Sequence, residues 1–263
     1  MQCWNPELYA SNSSAQKSWG LELLQKLSLK GDEKVLDVGC GDGKLSAEIA
    51  ARLTQGSVLG VDMSEAMVKF AREHYPSERF QNLTFRQADA KALSFESEFD
   101  IIFSNAALHW ITEHAPMLAG FRKSLKPGGK LLVQMGGKGN AAEIFIVLDS
   151  MLKTEKWKPF FTEFTSPYGF YGPEEYEQWL KASGFFPQRL ELLKKDMFIK
   201  GKKGLSAWIA STWHPYTLRV PEELREDIVY EIVELFAGSH PPDEQGNLHV
   251  QMVRLEVEAN VRV

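Results

Sequence analysis

Residues 35–50 read VLDVGCGDGKLSAEIA: an apolar β run, a break at Gly39, Gly41 and Gly43, and a helical pattern immediately after. Loops of this kind between a strand and a helix commonly hold a nucleotide. A dinucleotide loop needs glycines at G-x-G-x-x-G, yet Lys44 stands where the last glycine of a Gly39-based pattern belongs, and Ser46 where that of a Gly41-based one does. The acids argue more strongly. Asp37 near the strand end and Asp42 in the loop put two carboxylates where a pyrophosphate would lie. Like unit charges about 4 Å apart repel by ~4 kcal/mol at an effective dielectric of 20. The loop therefore disfavours NAD and suits a ligand carrying an ammonium and a sulfonium.

Outward from this loop the first half alternates two periods, as βα units of a parallel sheet do. KVLDVG (34–39) reads as a strand and KLSAEIAARL (44–53) as a helix. SVLGVDM (57–63) is the next strand, after which Ser64 caps a helix with Met67, Phe70, Ala71 and His74 on one face. LTFRQAD (83–89) and FDIIFSNAA (99–107) supply strands three and four, and a helix over 113–125 stops at KPGG, read as a turn. KLLVQMG is the fifth strand.

After residue 150 an aromatic, Pro- and Gly-rich run, WKPFFTEFTSPYGFYGPEE, reads as irregular yet packed down. Pro173 opens a short helix to Ala182. QRLELLKKDMFIK and LHVQMVRLEVEANV read as strands, with helices over 205–212 and 222–236 between them. The second of these helices carries a stripe of Leu224, Ile228, Ile232 and Leu235. The expectation is one α/β domain over 1–263: an N-terminal cap (1–28), a cofactor-binding core (29–150), and a sheet completion (151–263). A helical lid at about 201–246 would cover one end of the sheet.

The 263 residues, 44% hydrophobic and 25% charged, suffice for a core without disulfides or metal. A formal net charge of −5 argues against a dedicated nucleic-acid binder, although KKDMFIKGKK (194–203) is a basic exception, read as a solvated strand end or a cationic rim. No apolar run approaches the ~20 residues of a membrane span. Two cysteines, Cys3 and Cys40, give no secreted framework, so a cytoplasmic setting is expected. The six histidines show no metal spacing, and no metal is expected.

VLDVGCGDG resembles the glycine-rich motif of the Rossmann-like S-adenosylmethionine methyltransferases, and GVDMSEAMVKFA, ADA and FSNAALHW follow at the intervals of that family. The resemblance implies a seven-stranded, mostly parallel sheet with helices on both faces and a lid before the last strand. It implies S-adenosylmethionine as cofactor, with S-adenosylhomocysteine as product. Gly39, Cys40 and Gly41 would approach the methionine part, with Asp37 near its ammonium. Asp62 would hold the ribose, Met63 would cover the adenine, and Asp89 and Ala90 would read the adenine edge. Asn105 and Ala106, at the end of strand four, complete the set.

The opening WNPELYASNSSAQKSW is similar to the N-terminal cap of the trans-aconitate and malonyl-carrier O-methyltransferases, which implies that Tyr9 and Gln16 reach over the cofactor. NAALHW and the late segments LSAWIASTWHPY and HPPDEQGNLHVQMVRLEV carry the same likeness. Gln16 replaces an Arg of the trans-aconitate enzymes, and WIASTWHPY replaces their W-V-x-x-T-G-L-R-P, moving the cation to Arg219. The expected activity is O-methylation of a small, possibly anionic carboxylic acid. Methylation of nitrogen, carbon or a hydroxyl, or cofactor binding without catalysis, are the alternatives. His109 and Trp110 are the catalytic candidates, His109 either as base or as a cap of the next helix. Trp213, His214 and Tyr216 are substrate candidates. The chain is expected to be a monomer or weak dimer.

Overall fold

The computed structural model describes residues 6–7 and 14–262. Its sheet contains β1 (Lys34–Val38), β2 (Ser57–Asp62), β3 (Leu83–Gln87), β4 (Phe99–Asn105), β5 (Leu125–Gly136), β6 (Phe185–Lys200) and β7 (Asn247–Val261), in the order β3-β2-β1-β4-β5-β7-β6. The strands β1 to β5 pair in parallel, and β7 runs antiparallel to β5. The order reverses between β1 and β4, and the crevice at the carboxyl ends of such a pair is where open α/β sheets take ligands.

The helices are α1 (Ser14–Leu24), α2 (Lys44–Ala50), α3 (Glu65–His74), α4 (His114–Ser124), α5 (Ala142–Met151), α6 (Pro173–Ala182), α7 (Gly201–Thr212), α8 (His214–Thr217) and α9 (Arg225–Ser239). Helical segments thus precede the last strand. Parallel strands are buried on both faces and read as continuous apolar runs. Along β1, accordingly, Val35 joins one core cluster with Leu23 and Ile49, while Leu36 and Val38 join the other with Ile102 and Phe121.

The chain forms two compact units. The first comprises residues 1–138, 168–193 and 254–263; the second comprises 139–167 and 194–253. In the second unit α9 packs on α7 and α5, burying Ile228, Ile232, Val233 and Phe236.

Several element boundaries differ from those expected. The helix α2 stops at Ala50 because Arg52 and Leu53 bond three residues back, to Ile49 and Ala50, tightening the chain into a turn. On α3, Ser64 caps through Met67 N (3.3 Å), but Val68 joins Met67 and Ala71 in the core while His74 lies exposed, its ring stacked on Phe70 at 3.9 Å. KPGG does follow the helix, yet it lies inside β5: the pairing shifts between Phe99↔Leu125 and Ile101↔Lys130, a bulge where Gly128 adopts φ 76°. Leu235 is exposed on α9 and Leu224 belongs to the preceding 3-10 turn, because a 3.6-residue period carries the buried stripe on to Val233 and Phe236.

Candidate active site

The glycine loop folds as its spacing demands. Gly39 (φ 73°), Gly41 (φ 54°) and Gly43 (φ 80°) all occupy the left-handed region. Gly39 is also required sterically, since a Cβ there would lie 2.1 Å from that of Ala107 at the end of β4. Gly39 and Cys40 donate their N–H groups to Val61 O (2.7 and 3.0 Å), tying the loop to β2. Burial and the neighbouring carboxylates push the Cys40 thiol well up, so it stays protonated.

Both acids of the loop are buried, Asp37 at 2% exposure and Asp42 at 6%. Asp37 Oδ2 accepts from Ser46 Oγ (2.6 Å). Burial, reinforced by Asp62 and Asp42, nevertheless raises its carboxyl to about 7. Asp42 is met by Lys44 Nζ at 2.8 Å. Asp37, Asp42 and Lys44 line one pocket with Gln16, Lys17 and Asn105. Asn105 Nδ2 donates to Gln16 O (3.0 Å), while the amide oxygens Gln16 Oε1 and Asn105 Oδ1 are buried without a hydrogen-bond partner among the described residues. A carboxylate and two orphaned acceptors in one pocket solvate a cation such as an ammonium.

At the end of β2, Asp62 spans two elements: Oδ2 accepts from Gly41 N (3.0 Å) and Oδ1 from Ser64 N (2.8 Å). Burial raises its pKa. Met63 is 59% exposed, so it is no core residue. Asp89 Oδ1 accepts from Lys91 N (2.9 Å) in a turn that leaves Asp89 and Ala90 half-buried beyond β3. Ala106 takes φ 57° and donates its N–H to Gln134 O (2.8 Å) on β5.

His109 and Trp110 lie in a 3-10 turn, Leu108–Trp110, just past β4. His109 caps no helix; the N-cap position of α4 belongs to Glu113. Gly136 N donates to His109 Nδ1 (3.4 Å), which places the neutral ring's proton on Nε2. Burial, then the charge of Arg254, holds the imidazole well below its ordinary pKa. His109 O accepts from Gly169 N (2.8 Å), and this brings Tyr168 and Phe170 beside the ring, 6.4 and 5.8 Å between centroids. Gly169 permits the approach, since a Cβ there would stand 2.3 Å from Ile111 O.

Tyr168, Gly169, Phe170 and Arg254 stand near His109 in addition to the residues expected from the sequence. The aromatic–glycine alternation of SPYGFYGP was the only local signal, and Arg254 carried none. Trp213, His214 and Tyr216 are buried in the second unit, where Trp213 packs edge-on to Phe145 (5.1 Å) and Trp208 (5.8 Å), and Tyr216 on Phe164 (4.9 Å). Tyr9 lies outside the described residues.

Residues 29–184 match a family model described as a methyltransferase domain. The chain is 30% identical over 212 residues to a trans-aconitate 2-methyltransferase of Deinococcus radiodurans, covering 80% of each chain. A trans-aconitate 2-methyltransferase of Methylobacterium nodulans is 27% identical over 262 residues, covering 97% of both. Among solved structures, phosphoethanolamine N-methyltransferase 2 of Haemonchus contortus, in complex with S-adenosyl-L-methionine, superposes with a TM-score of 0.61 at 21% identity. That match covers 98% of this chain and 57% of the other. An acceptor-lined pocket at the switch point, on this sheet and with these relatives, has one reading: the chain belongs to the S-adenosylmethionine-dependent methyltransferase family.

Proposed function

We propose that this methyltransferase O-methylates a carboxylate of a small organic acid, with the amino-acid end of the cofactor bound by Asp37, Gln16 and Asn105. The fit rests on the two orphaned amide oxygens, the buried carboxylate beside them, and a Gly39 whose missing Cβ lets the loop pack against Ala107. Asp62, Met63, Asp89 and Ala90 stand at the successive strand ends where ribose and adenine would extend. S-adenosylmethionine supplies an electrophilic methyl whose sulfur departs as a neutral thioether. The chain's residues have to bring an acceptor oxygen into line with that methyl, ~3–3.5 Å away, and keep water out.

His109 carries the choice of acceptor. An amine or phenol needs a base whose pKa lies near the working pH. Burial and Arg254 hold the imidazole far below that range, so it stays neutral and is a weak base. A carboxylate arrives already ionised and asks only for orientation, which an Nε2–H donor gives. Trans-aconitate 2-methyltransferases among the relatives support the same class.

Two measurements test this. The product methyl group should be released as methanol by mild base, as an ester's is. Replacing His109 by Gln should raise the acceptor KM and leave kcat flat from pH 6 to 9. A base-stable methyl product, or a rate that climbs with pH and collapses in the variant, refutes the carboxylate reading.

A further inference from the structure

Past β4 the chain forms only the 3-10 turn Leu108–Trp110 before α4, yet its carbonyls are held from outside. His109 O accepts from Gly169 N (2.8 Å), Ile111 O from His114 Nε2 (2.7 Å), and Thr112 O from the Tyr171 hydroxyl. Tyr171 is itself tied to the end of β5, where Lys138 N donates to its carbonyl (2.9 Å). At the centre of these bonds is His114, the first residue of α4, 1% exposed. Its Nδ1 meets the hydroxyl of Tyr176 on α6, which is fully buried.

The geometry decides which atom carries each proton. Ile111 O can only accept, so the one ring proton of a neutral His114 sits on Nε2 and leaves Nδ1 as an acceptor. Burial brings the His114 pKa down to about 4, which keeps the ring in that neutral form. The single proton of Tyr176 then points at Nδ1, although Met135 Sδ lies 3.1 Å from the same oxygen. In the other tautomer a ring lone pair would face the Ile111 carbonyl at 2.7 Å. Tyr176 thus sets the tautomer of His114, and His114 sets the place of Ile111 O.

Apolar side chains of similar size would fill this space without the cost of desolvating polar groups. What they would not supply is direction. Met135, against Tyr176, precedes the Gly136 whose N–H meets His109 Nδ1, so the pair touches the strand that holds the His109 ring. Gly169 closes the arrangement from the other side, since a Cβ there would lie 2.3 Å from Ile111 O and 3.3 Å from His114 Nε2.

We infer that His114 and Tyr176 are positioning residues for methyl transfer, holding the turn that carries His109 and with it the direction of the Nε2–H offered to the acceptor. This rests on the reading of His109 as the acceptor's orienting donor. Misplacing such a group by about 1 Å can cost ~10²-fold in rate. Neither residue lines the cofactor pocket, so the effect should fall on the acceptor step alone.

Nuclear magnetic resonance of protein isotope-labelled in its histidine ring nitrogens, saturated with S-adenosylhomocysteine, tests this without an acceptor. His109→Gln identifies the His109 signals, and both rings should read as the Nε2–H tautomer at neutral pH. Tyr176→Phe, which keeps the aromatic ring, should spread His114 over both tautomers and displace the His109 signals. His114→Leu should displace them as well, whereas His114→Gln, whose amide N–H can still donate to Ile111 O, should restore them. Affinity for S-adenosylhomocysteine should stay within twofold throughout. With an acid that wild type converts to an ester, Tyr176→Phe should lower kcat/KM at least tenfold. His109 signals that keep their wild-type values in Tyr176→Phe overturn the inference, and that variant decides even where His114→Leu fails to fold. Equal losses of cofactor affinity and acceptor turnover overturn it too, since they mark a general packing role. The two readings fail separately. A base-stable product with displaced His109 signals removes the carboxylate and keeps the positioning pair; a methyl ester with unmoved signals does the reverse.

Discussion

Cofactor binding by this protein should release a proton, and Asp37 should be its source. Burial beside two other carboxylates raises Asp37 to about 7, so at pH 7 about half the free molecules hold it neutral. An ammonium in the pocket stabilises the ionised form. Binding at pH 7 then expels about half a proton, and affinity follows the ionised fraction. The apparent Kd scales as 1 + 10^(pKa − pH), a factor of about 11 at pH 6 and about 1.1 at pH 8, hence roughly tenfold across that window. Calorimetric titration with S-adenosylhomocysteine in buffers of different ionisation enthalpy reads the proton directly.

Stability has the opposite sense. A carboxyl raised in the folded state contributes its stability fully below the unfolded pKa of ~3.9, and loses it as pH rises through about 7. Three units correspond to a cost of order 4 kcal/mol at pH 8. Asp37→Asn should therefore bind cofactor more weakly with no pH dependence, yet unfold at higher denaturant than wild type at pH 8. A wild-type Kd that is flat between pH 6 and 8, with no buffer-dependent heat, refutes the reasoning.

Other substitutions test the frame around the pocket. Asp62→Ala removes the acceptor of Gly41 N and Ser64 N together with the expected ribose contact, and should weaken S-adenosylhomocysteine binding at least tenfold, as loss of a ~1.5–3 kcal/mol charged hydrogen bond implies. Unchanged affinity in the calorimeter contradicts that. Burial works to raise the Glu256 carboxyl, but hydrogen bonds from Lys26, Arg189 and Gln134 outweigh it and hold it below the ordinary value. Its stabilisation is therefore present above the unfolded pKa of ~4.3 and disappears as pH falls through the lower folded one. Glu256→Ala leaves the buried Gln134 amide without its acceptor, while Lys26 and Arg189 can turn to water, and should cost ~1–3 kcal/mol at neutral pH in urea unfolding, with a smaller loss in acid.

The sequence by itself determined the sheet and the cofactor class, because both are written in local chemistry. Apolar runs set strands buried on two faces, glycines set positive φ after β1, and Asp37 with Asp42 set the sign of the pocket. Each signal needs only neighbours within a few residues. Helix ends were less legible, since α2 stops where its last bonds contract to three residues, and the α9 stripe drifts at 3.6 residues per turn past Leu235. What only the tertiary structure decided is the company each side chain keeps. Arg254 lies 145 positions from His109 in the chain, and the antiparallel pairing of β7 with β5 sets it opposite Gly136, whose N–H meets that ring. Gly169 could dock on His109 only once a loop had returned to the end of β4. The pKa of Asp37 likewise exists nowhere in the local sequence. It arises from removing water around a carboxylate, and that is a property of the packed molecule.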